Sequence, residues 1–362
     1  MFSARRTDLL LLIVTLILVT VGLGMLYSTS GIMAQDRYDD SLYFLKRQMM
    51  WSGLGLVAMW AAASVPYPAQ RRLALPAMGF VLLLLVVVLV AGKKVGGAQR
   101  WLALGPLSFQ PSELAKYVLI MYVARVLAAN SHRPESLVHT YLPNVIMMGI
   151  VFGLVMLQPD LGTAVVLVAS AGMILLVAGV PWRYLALTAA GMLPFLYYKL
   201  FFAGYNLDRV LVFLQPWKDP QGIGYQIVQA HKALGRGGWA GVGLGQSQQK
   251  LFYLPESHTD FIFAIIGEEL GLVGAFALIV LFVVLLWRIL KIAVKCNEPF
   301  GMYLGLGIFI SLALQITMNL GVVSGLLPTK GMPLPFISHG GSNLLVSMLA
   351  VGTMLNIAGR KT

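Results

Sequence analysis

The chain has 362 residues, of which 58% are hydrophobic and only 11% charged, whereas soluble domains hold about 45–50% apolar and 25% charged residues. A soluble fold of this composition lacks the polar surface to cover itself, which excludes a cytosolic enzyme, a secreted domain and a disordered tail. The formal charge is +12, but the 26 Lys and Arg are scattered between apolar runs, as membrane-flanking cations are, and not gathered as a nucleic-acid patch.

A helical span needs about 20 mainly apolar residues. Ten stretches qualify, near 9–28, 49–65, 73–91, 112–129, 142–158, 162–179, 182–200, 260–287, 300–324 and 336–358. They predict an all-α polytopic membrane protein forming one integral domain over 1–362, with 201–259 as a long loop between spans seven and eight. The first run follows Arg5 and Arg6 but is long for a signal peptide, and an uncleaved helix is expected. With both termini cytoplasmic, twelve Lys and Arg fall inside and nine outside, the other five lying in the long loop. This balance favours cytoplasmic ends and an extracytoplasmic loop. Arg100, Glu113, Lys116, Asp160, Arg209, Lys250, Glu256, Asp260 and Lys330 then all lie at or near the outer face, so a functional site is expected there.

In chain order, span four opens Gln110-Pro-Ser-Glu-Leu-Ala-Lys116. Glu113 and Lys116 are three apart and share a helix face. A lysine one turn inside a membrane helix either pairs with the glutamate or reaches a phosphate. Gln158-Pro-Asp-Leu-Gly162 separates spans five and six and reads first as a tight turn carrying Asp160. Residues 225–234 are amphipathic and predict an interfacial segment. The glycines of Gly235-Arg-Gly-Gly-Trp-Ala-Gly-Val-Gly-Leu-Gly245 suit a re-entrant or surface-lying backbone.

Before span eight, Glu256, His258 and Asp260 crowd three ionisable groups into five residues. Asp260 has two readings. With Ser257 it has capping-box spacing and would cap the helix from its first turn. Alternatively it is a general base at the water–lipid boundary, its pKa raised by like charge and desolvation. Glu268 and Glu269 lie two turns deeper and form either a polar relay or hydrogen-bonded glue between helices. The last loop runs Gly325-Leu-Leu-Pro-Thr-Lys-Gly331 and then Pro335-Phe-Ile-Ser-His-Gly-Gly-Ser342. Ser338, Gly340, Gly341 and Ser342, with Lys330 nearby, suggest either a flexible cap or an anion or sugar cradle. There is no D-x-D, no Walker A and no metal-ligand spacing among the five histidines. Cys296 is the only cysteine, so neither an intrachain disulfide nor a thiolate metal cluster is available.

These stretches, with Gly97-Ala-Gln-Arg-Trp101, Gln249-Lys-Leu-Phe-Tyr-Leu254 and Leu254-Pro-Glu-Ser-His-Thr-Asp-Phe-Ile-Phe263, resemble the SEDS family (shape, elongation, division and sporulation) in order and across nearly the whole chain. Gln249 onward and Leu327-Pro-Thr-Lys-Gly331 are more similar to the division-type FtsW branch than to RodA. Two positions depart from the family, His339 where it usually has Tyr and Asn343 where it usually has Ser.

The resemblance implies a peptidoglycan glycosyltransferase that polymerises lipid II at the outer face of the bacterial cytoplasmic membrane, at the division septum. It also implies a single-pass class B penicillin-binding protein as partner, together with other divisome proteins. The family's essential aspartate maps onto Asp260. The chemistry is consistent: one carboxylate base takes the acceptor proton, and cations drawn from Lys116, Arg209, Lys250 and Lys330 hold the departing diphosphate. A single inverting displacement needs no second carboxylate. No cofactor is demanded, and a divalent cation at the diphosphate is left open. A lipid II flippase and a scaffold recruiting the transpeptidase are the rival readings.

Overall fold

The computed structural model describes residues 8–95, 98–105, 107–201, 215–222, 224–328 and 331–359. Arg209 and Lys330, both expected at the site, lie outside the described residues. Eleven α-helices are present among those described. In order they are α1 (Leu9–Tyr38), α2 (Tyr43–Ser64), α3 (Tyr67–Ala91), α4 (Pro111–Ala129), α5 (Leu142–Leu157), α6 (Leu161–Val177), α7 (Trp182–Phe201), α8 (Tyr225–Gly237), α9 (Ile262–Val294), α10 (Pro299–Val323) and α11 (Gly341–Gly359). Six are long and apolar enough to cross a membrane: α1, α3, α5 with the turn before it, α9, α10 and α11. The chain is therefore a multi-pass membrane protein.

Several boundaries differ from expectation, each for a local reason. Helix α2 starts at Tyr43, not near 49, because its first turns carry Lys46, Arg47 and Gln48 and so dilute the apolar signal. Residues 336–340 are not helical. They form a buried turn, with Phe336 and Ile337 inside the protein, and α11 begins only at Gly341. The all-α expectation also needs correction. Between α3 and α4 lie three short antiparallel strands, β1 (Lys93–Val95), β2 (Ala98–Leu104) and β3 (Leu107–Phe109). Lys93 pairs with Trp101 and Leu102 with Phe109. Two of the strands are three residues long, too short to show alternation.

Helix α4 is buried along most of its length, packed by α3, α6 and α10. Contacts between helix ends fix the polarity of the bundle. Asp8, at the start of α1, pairs with Arg288 near the end of α9. The Tyr67 N–H, at the start of α3, donates to Asn356 near the end of α11 at 3.0 Å. At the opposite end, the Gln110 N–H donates to Ser342 Oγ at 2.8 Å, joining the starts of α4 and α11. The sheet, the turn before α9 and the 331–340 loop gather at this second end.

Helix α9 is broken at Gly271, whose φ of 68° and ψ of −168° are not helical. The peptide groups released by the break must be satisfied inside the protein, and the glycine-rich segment does this. Val242 N and Gly243 N donate to the carbonyls of Glu268 and Glu269, both at 3.0 Å. Leu272 N and Val273 N donate to Gly238 O and Trp239 O at 2.9 and 3.1 Å. A Cβ at Gly271 would strike the Gly241 backbone. The glycines expected to allow a re-entrant or surface-lying backbone also splice a broken helix, while Gly235, Gly238, Gly243 and Gly245 stay exposed. Helix α8 turns its apolar face, with Ile227, Val228, Ala230 and Ala233, against α9 and α10, so that face is covered by protein.

Glu268 and Glu269 are the glue of this splice. Glu269 accepts from Lys250 Nζ at 2.9 Å and from Ser28 Oγ of α1. Glu268 accepts from the backbone N–H groups of Gln248 and Gln249 at 3.2 and 3.4 Å and from the Ser247 hydroxyl. Charge-assisted bonds of this kind tie the 247–250 turn to α9.

Candidate functional site

A cavity of about 210 Å³ opens at the end of the bundle where α4, α6, α9 and α11 begin. It brings together seven of the expected residues: Arg100, Glu113, Lys116, Asp160, Glu256, Asp260 and Gly340. Four carboxylates therefore face two described cations.

Most of these groups are already engaged. Lys116 Nζ pairs with Glu113 at 2.9 Å and donates to Gln315 Oε1 of α10 at 3.0 Å. Glu113 also accepts from Asn343 Nδ2 at 2.8 Å, so a position that departs from the family pattern holds a cavity carboxylate. Asp160 does cap α6, accepting from Thr163 N at 3.2 Å, and its other oxygen accepts from Gln110 Nε2 at 3.1 Å. The turn reading and the lining role hold together. Arg100 donates to the carbonyls of Gln158, at 2.9 Å, and Pro159, fixing β2 to the turn that carries Asp160. Glu256 accepts from its neighbour Thr259 at 2.9 Å.

Asp260 differs from the other three acids. It precedes α9, whose N-cap is Phe261 with no side-chain cap bond, so the capping-box expectation is overturned. The chain around it stays in turns, with Phe261 N donating to Glu256 O at 3.3 Å, so the helix starts late. Asn319 of α10 anchors the turn, donating to Asp260 O at 2.9 Å and Met332 O at 2.7 Å. Among the described residues nothing donates to the Asp260 carboxylate. Burial, and then the negative charges of Glu256 and Asp160, push its pKa up to about 7. Gly331 is pressed close: a Cβ there would lie 2.6 Å from Asp260 Oδ2.

Other expected residues lie elsewhere. Lys250 is buried against Glu269 and Ser28 and does not line this cavity. His258 packs between Phe44 and His339, and burial holds its pKa below the usual histidine value despite Glu256. Ser338 is spent on its own turn, accepting from Leu334 N at 2.8 Å. Gly341 lies against the Trp51 ring, and Ser342 accepts from Gln110 N. The Gly340 N–H points to Gln48 Oε1 at 3.4 Å. The Gly-Gly-Ser start of α11 thus packs helices and loops, and Gly340 also lines the cavity. Sequence reasoning missed Gln110, Thr163 and Gln315 as lining residues, because neutral polar side chains on membrane helices carry no signal until the helices are packed. Among the described residues no group of three or more His, Cys, Asp or Glu is gathered as metal ligands.

The Glu113–Lys116 pair allows a direct test. In a double-mutant cycle, Lys116→Met is expected to leave Glu113 buried and unpaired and to destabilise by about 3–5 kcal/mol, with Glu113→Gln restoring much of it. If activity per folded molecule survives in the double variant, the pair is structural; a loss of tenfold or more makes the pair part of the chemistry.

Fold and site define a polytopic membrane protein with an acid-lined cavity at one end of its helix bundle, in which one of four carboxylates has no described donor. The chain belongs to the FtsW, RodA and SpoVE family of cell cycle proteins, whose profile matches residues 8–362. It is 43% identical over 361 residues to the probable peptidoglycan glycosyltransferase FtsW of Trichlorobacter lovleyi, covering 99% of this chain and 94% of that one. It is 42% identical over 357 residues to stage V sporulation protein E of Bacillus subtilis, covering 97% and 96%. Among solved structures it is similar to a chain described under structural coordination of polymerization and crosslinking by a peptidoglycan synthase complex. That likeness has a TM-score of 0.81 at 32% identity and covers 98% of each chain.

Proposed function

We propose that this protein is a peptidoglycan glycosyltransferase of the FtsW branch, polymerising lipid II at the outer face of the cytoplasmic membrane during septal wall synthesis. The observation that carries the mechanism is the Asp260 carboxylate, the one acid in the cavity without a described donor and with a pKa raised to about 7. A base with a pKa near working pH is the efficient choice for general-base catalysis. The acceptor sugar's hydroxyl oxygen attacks C1 of the donor sugar, and its proton passes to Asp260. As the new O–C1 bond forms, the C1–O bond to the diphosphate breaks and its electron pair leaves with undecaprenyl diphosphate. One displacement inverts C1. The leaving group carries its own charge, so no general acid is required. A divalent cation is an extension of this proposal: no described cluster of side chains would hold it, so it would arrive with the diphosphate and help neutralise the departing charge; polymer yield that falls on chelation and returns with magnesium would establish it.

The topology belongs to the same proposal: ten spans formed by α1–α7 and α9–α11, cytoplasmic termini, and α8 in an extracytoplasmic loop. Its support is that the bundle end opposite the cavity carries Arg71, Arg72, Arg125, Arg288 and Lys291, as the positive-inside rule asks. In a Cys296-free background, a cysteine replacing Gln221 is expected to label from outside with an impermeant reagent, and one replacing His132 is not. The reverse pattern would place Asp260 on the cytoplasmic side and end the polymerase reading. The partner is a single-pass class B transpeptidase within the divisome. The solved complex that couples polymerization and crosslinking supports this pairing, and the FtsW names of relatives support the division role.

The deciding experiment gives purified protein, with and without its transpeptidase, labelled lipid II in detergent and in liposomes. Glycan polymer establishes the enzyme. Movement between leaflets without polymer establishes a flippase, and neither activity with transpeptidase binding retained establishes a scaffold.

A further inference from the structure

Helix α9 presents an uncovered apolar stripe. Phe276, Val280, Val283 and Trp287 are exposed and recur every three or four residues, which places them on one face. In a membrane, acyl chains lie against such a face whatever lipid carries them, so the stripe alone selects nothing. Its end differs. At the bundle end opposite the acid-lined cavity it runs into Lys291 and Lys295. Trp287, Lys291 and Lys295 are spaced four apart and form one ridge of the helix.

The cations around the Trp287 ring are not equivalent. The Arg288 guanidinium carbon lies 5.4 Å from the ring centroid, but Arg288 is paired with Asp8 of α1. Lys291 Nζ lies 4.7 Å from the same centroid and, among the described residues, meets no carboxylate. The acids on the adjoining helix ends are taken, Asp8 by Arg288 and the Leu11 N–H, and Glu298 by the Tyr67 hydroxyl. A ring face attracts and places an ammonium without cancelling its charge. The Trp287 side chain is half-exposed, and its indole N–H has no acceptor among the described residues. A placed cation and an N–H donor thus stand side by side at the end of an apolar stripe.

We infer that this end of α9 seats an anionic phospholipid, its phosphate met by Lys291 and the Trp287 indole N–H, with Lys295 beside them and its acyl chain along the stripe. The inference goes beyond the glycosyltransferase reading and does not depend on it. Only a molecule with both an anionic head and an apolar tail uses the ridge and the stripe together. Phosphatidylcholine carries the same phosphate but covers it with its own cation. Charge alone would give a diffuse preference shared by every cation at this end, Arg71 and Arg72 included, whereas a seat gives a preference carried by one pair of side chains.

The test is native mass spectrometry of the full-length protein titrated in detergent with phosphatidylglycerol and, separately, with phosphatidylcholine. The parent is expected to bind one phosphatidylglycerol more tightly than any phosphatidylcholine. Lys291→Gln should weaken that binding about fivefold, the usual contribution of one cation to an anionic lipid surface, and leave phosphatidylcholine unchanged. Trp287→Phe, which keeps the ring and removes the N–H, should lose less than Trp287→Leu, which removes both. Arg72→Gln should change nothing. Equal affinity for the two lipids overturns the inference. So does an equal loss in Arg72→Gln, which would mark the general positive charge of this end, or displacement by tailless glycerol 3-phosphate at equal concentration, which would mark an anion site without a lipid. A transpeptidase complex that loosens in Lys291→Gln and Trp287→Leu while phosphatidylglycerol binding is unchanged would assign the face to the partner's helix and overturn it as well. Lys291→Gln keeps the Trp287 contacts of the stripe, so it reports even if Trp287→Leu fails to fold.

Discussion

Asp260→Asn is expected to make less lipid II polymer by about 10²–10⁴-fold, the usual contribution of a general base, while folding at least as well as the parent. The two halves of this expectation share one cause. In the parent, folding carries a carboxylate from water into a half-buried position facing Glu256 and Asp160, raising its pKa from 3.8 to about 7. Between those values the folded state binds more protons than the unfolded state, so stability falls as pH rises through the window. Above it the full penalty is present, with an upper bound of about 4 kcal/mol from the size of the shift. The amide cannot ionise, so the variant should unfold at a higher temperature than the parent at pH 8, and the gap should close toward pH 4.

The same pKa sets the parent's rate profile. Because the base must be unprotonated to work, kcat/KM is expected to fall about tenfold per pH unit below about 7 and to level off above it. Near-normal polymer from well-folded Asp260→Asn, or a rate flat from pH 5 to 8, would remove Asp260 as the base.

The second large effect belongs to Lys250. Its amino group is the cation paired with Glu269 inside the splice that repairs α9, 2.9 Å from the carboxylate. Lys250→Met leaves that carboxylate buried with only the Ser28 hydroxyl and the Ser247 N–H as described donors, and should destabilise by about 3–5 kcal/mol. Adding Glu269→Leu removes the stranded charge and should recover most of the loss, because replacing both members of a buried pair is often neutral. Thermal unfolding in detergent reads both. Polymer made per folded molecule should stay within about twofold throughout, because Lys250 does not line the acid cavity. If activity falls in the rescued double variant, Lys250 is a substrate cation, as its place in the sequence first suggested.

How much of the molecule was legible beforehand follows the reach of each interaction. Apolar runs mark where helices must lie, because hydrocarbon leaves a backbone few ways to satisfy its peptide groups. The Glu113–Lys116 pair follows from helical spacing alone, and the crowding of Glu256 near Asp260 is written in five residues of sequence. The raised pKa of Asp260 could be expected in direction because one of its causes is local. Its absence from any helix cap could not, because that depends on Asn319, 59 residues further along the chain, holding the turn open.

The sequence by itself determined the class of protein and the family resemblance, and that resemblance singled out Asp260 as the expected base. The tertiary structure decided which charges are brought together. Lys250 and Lys116 look equivalent in one dimension, yet one is locked under a helix break and the other shares a cavity with Asp260. Arg47 and Lys93 drew no attention as bare residues, since a single cation near a span end is ordinary, and only the tertiary structure brings them to one cavity. Local spacing fixes neighbours within a turn or two of a helix, whereas an ion pair or a cavity wall is a property of separate helices brought side by side. The strength of each depends on the desolvation that the packing itself creates.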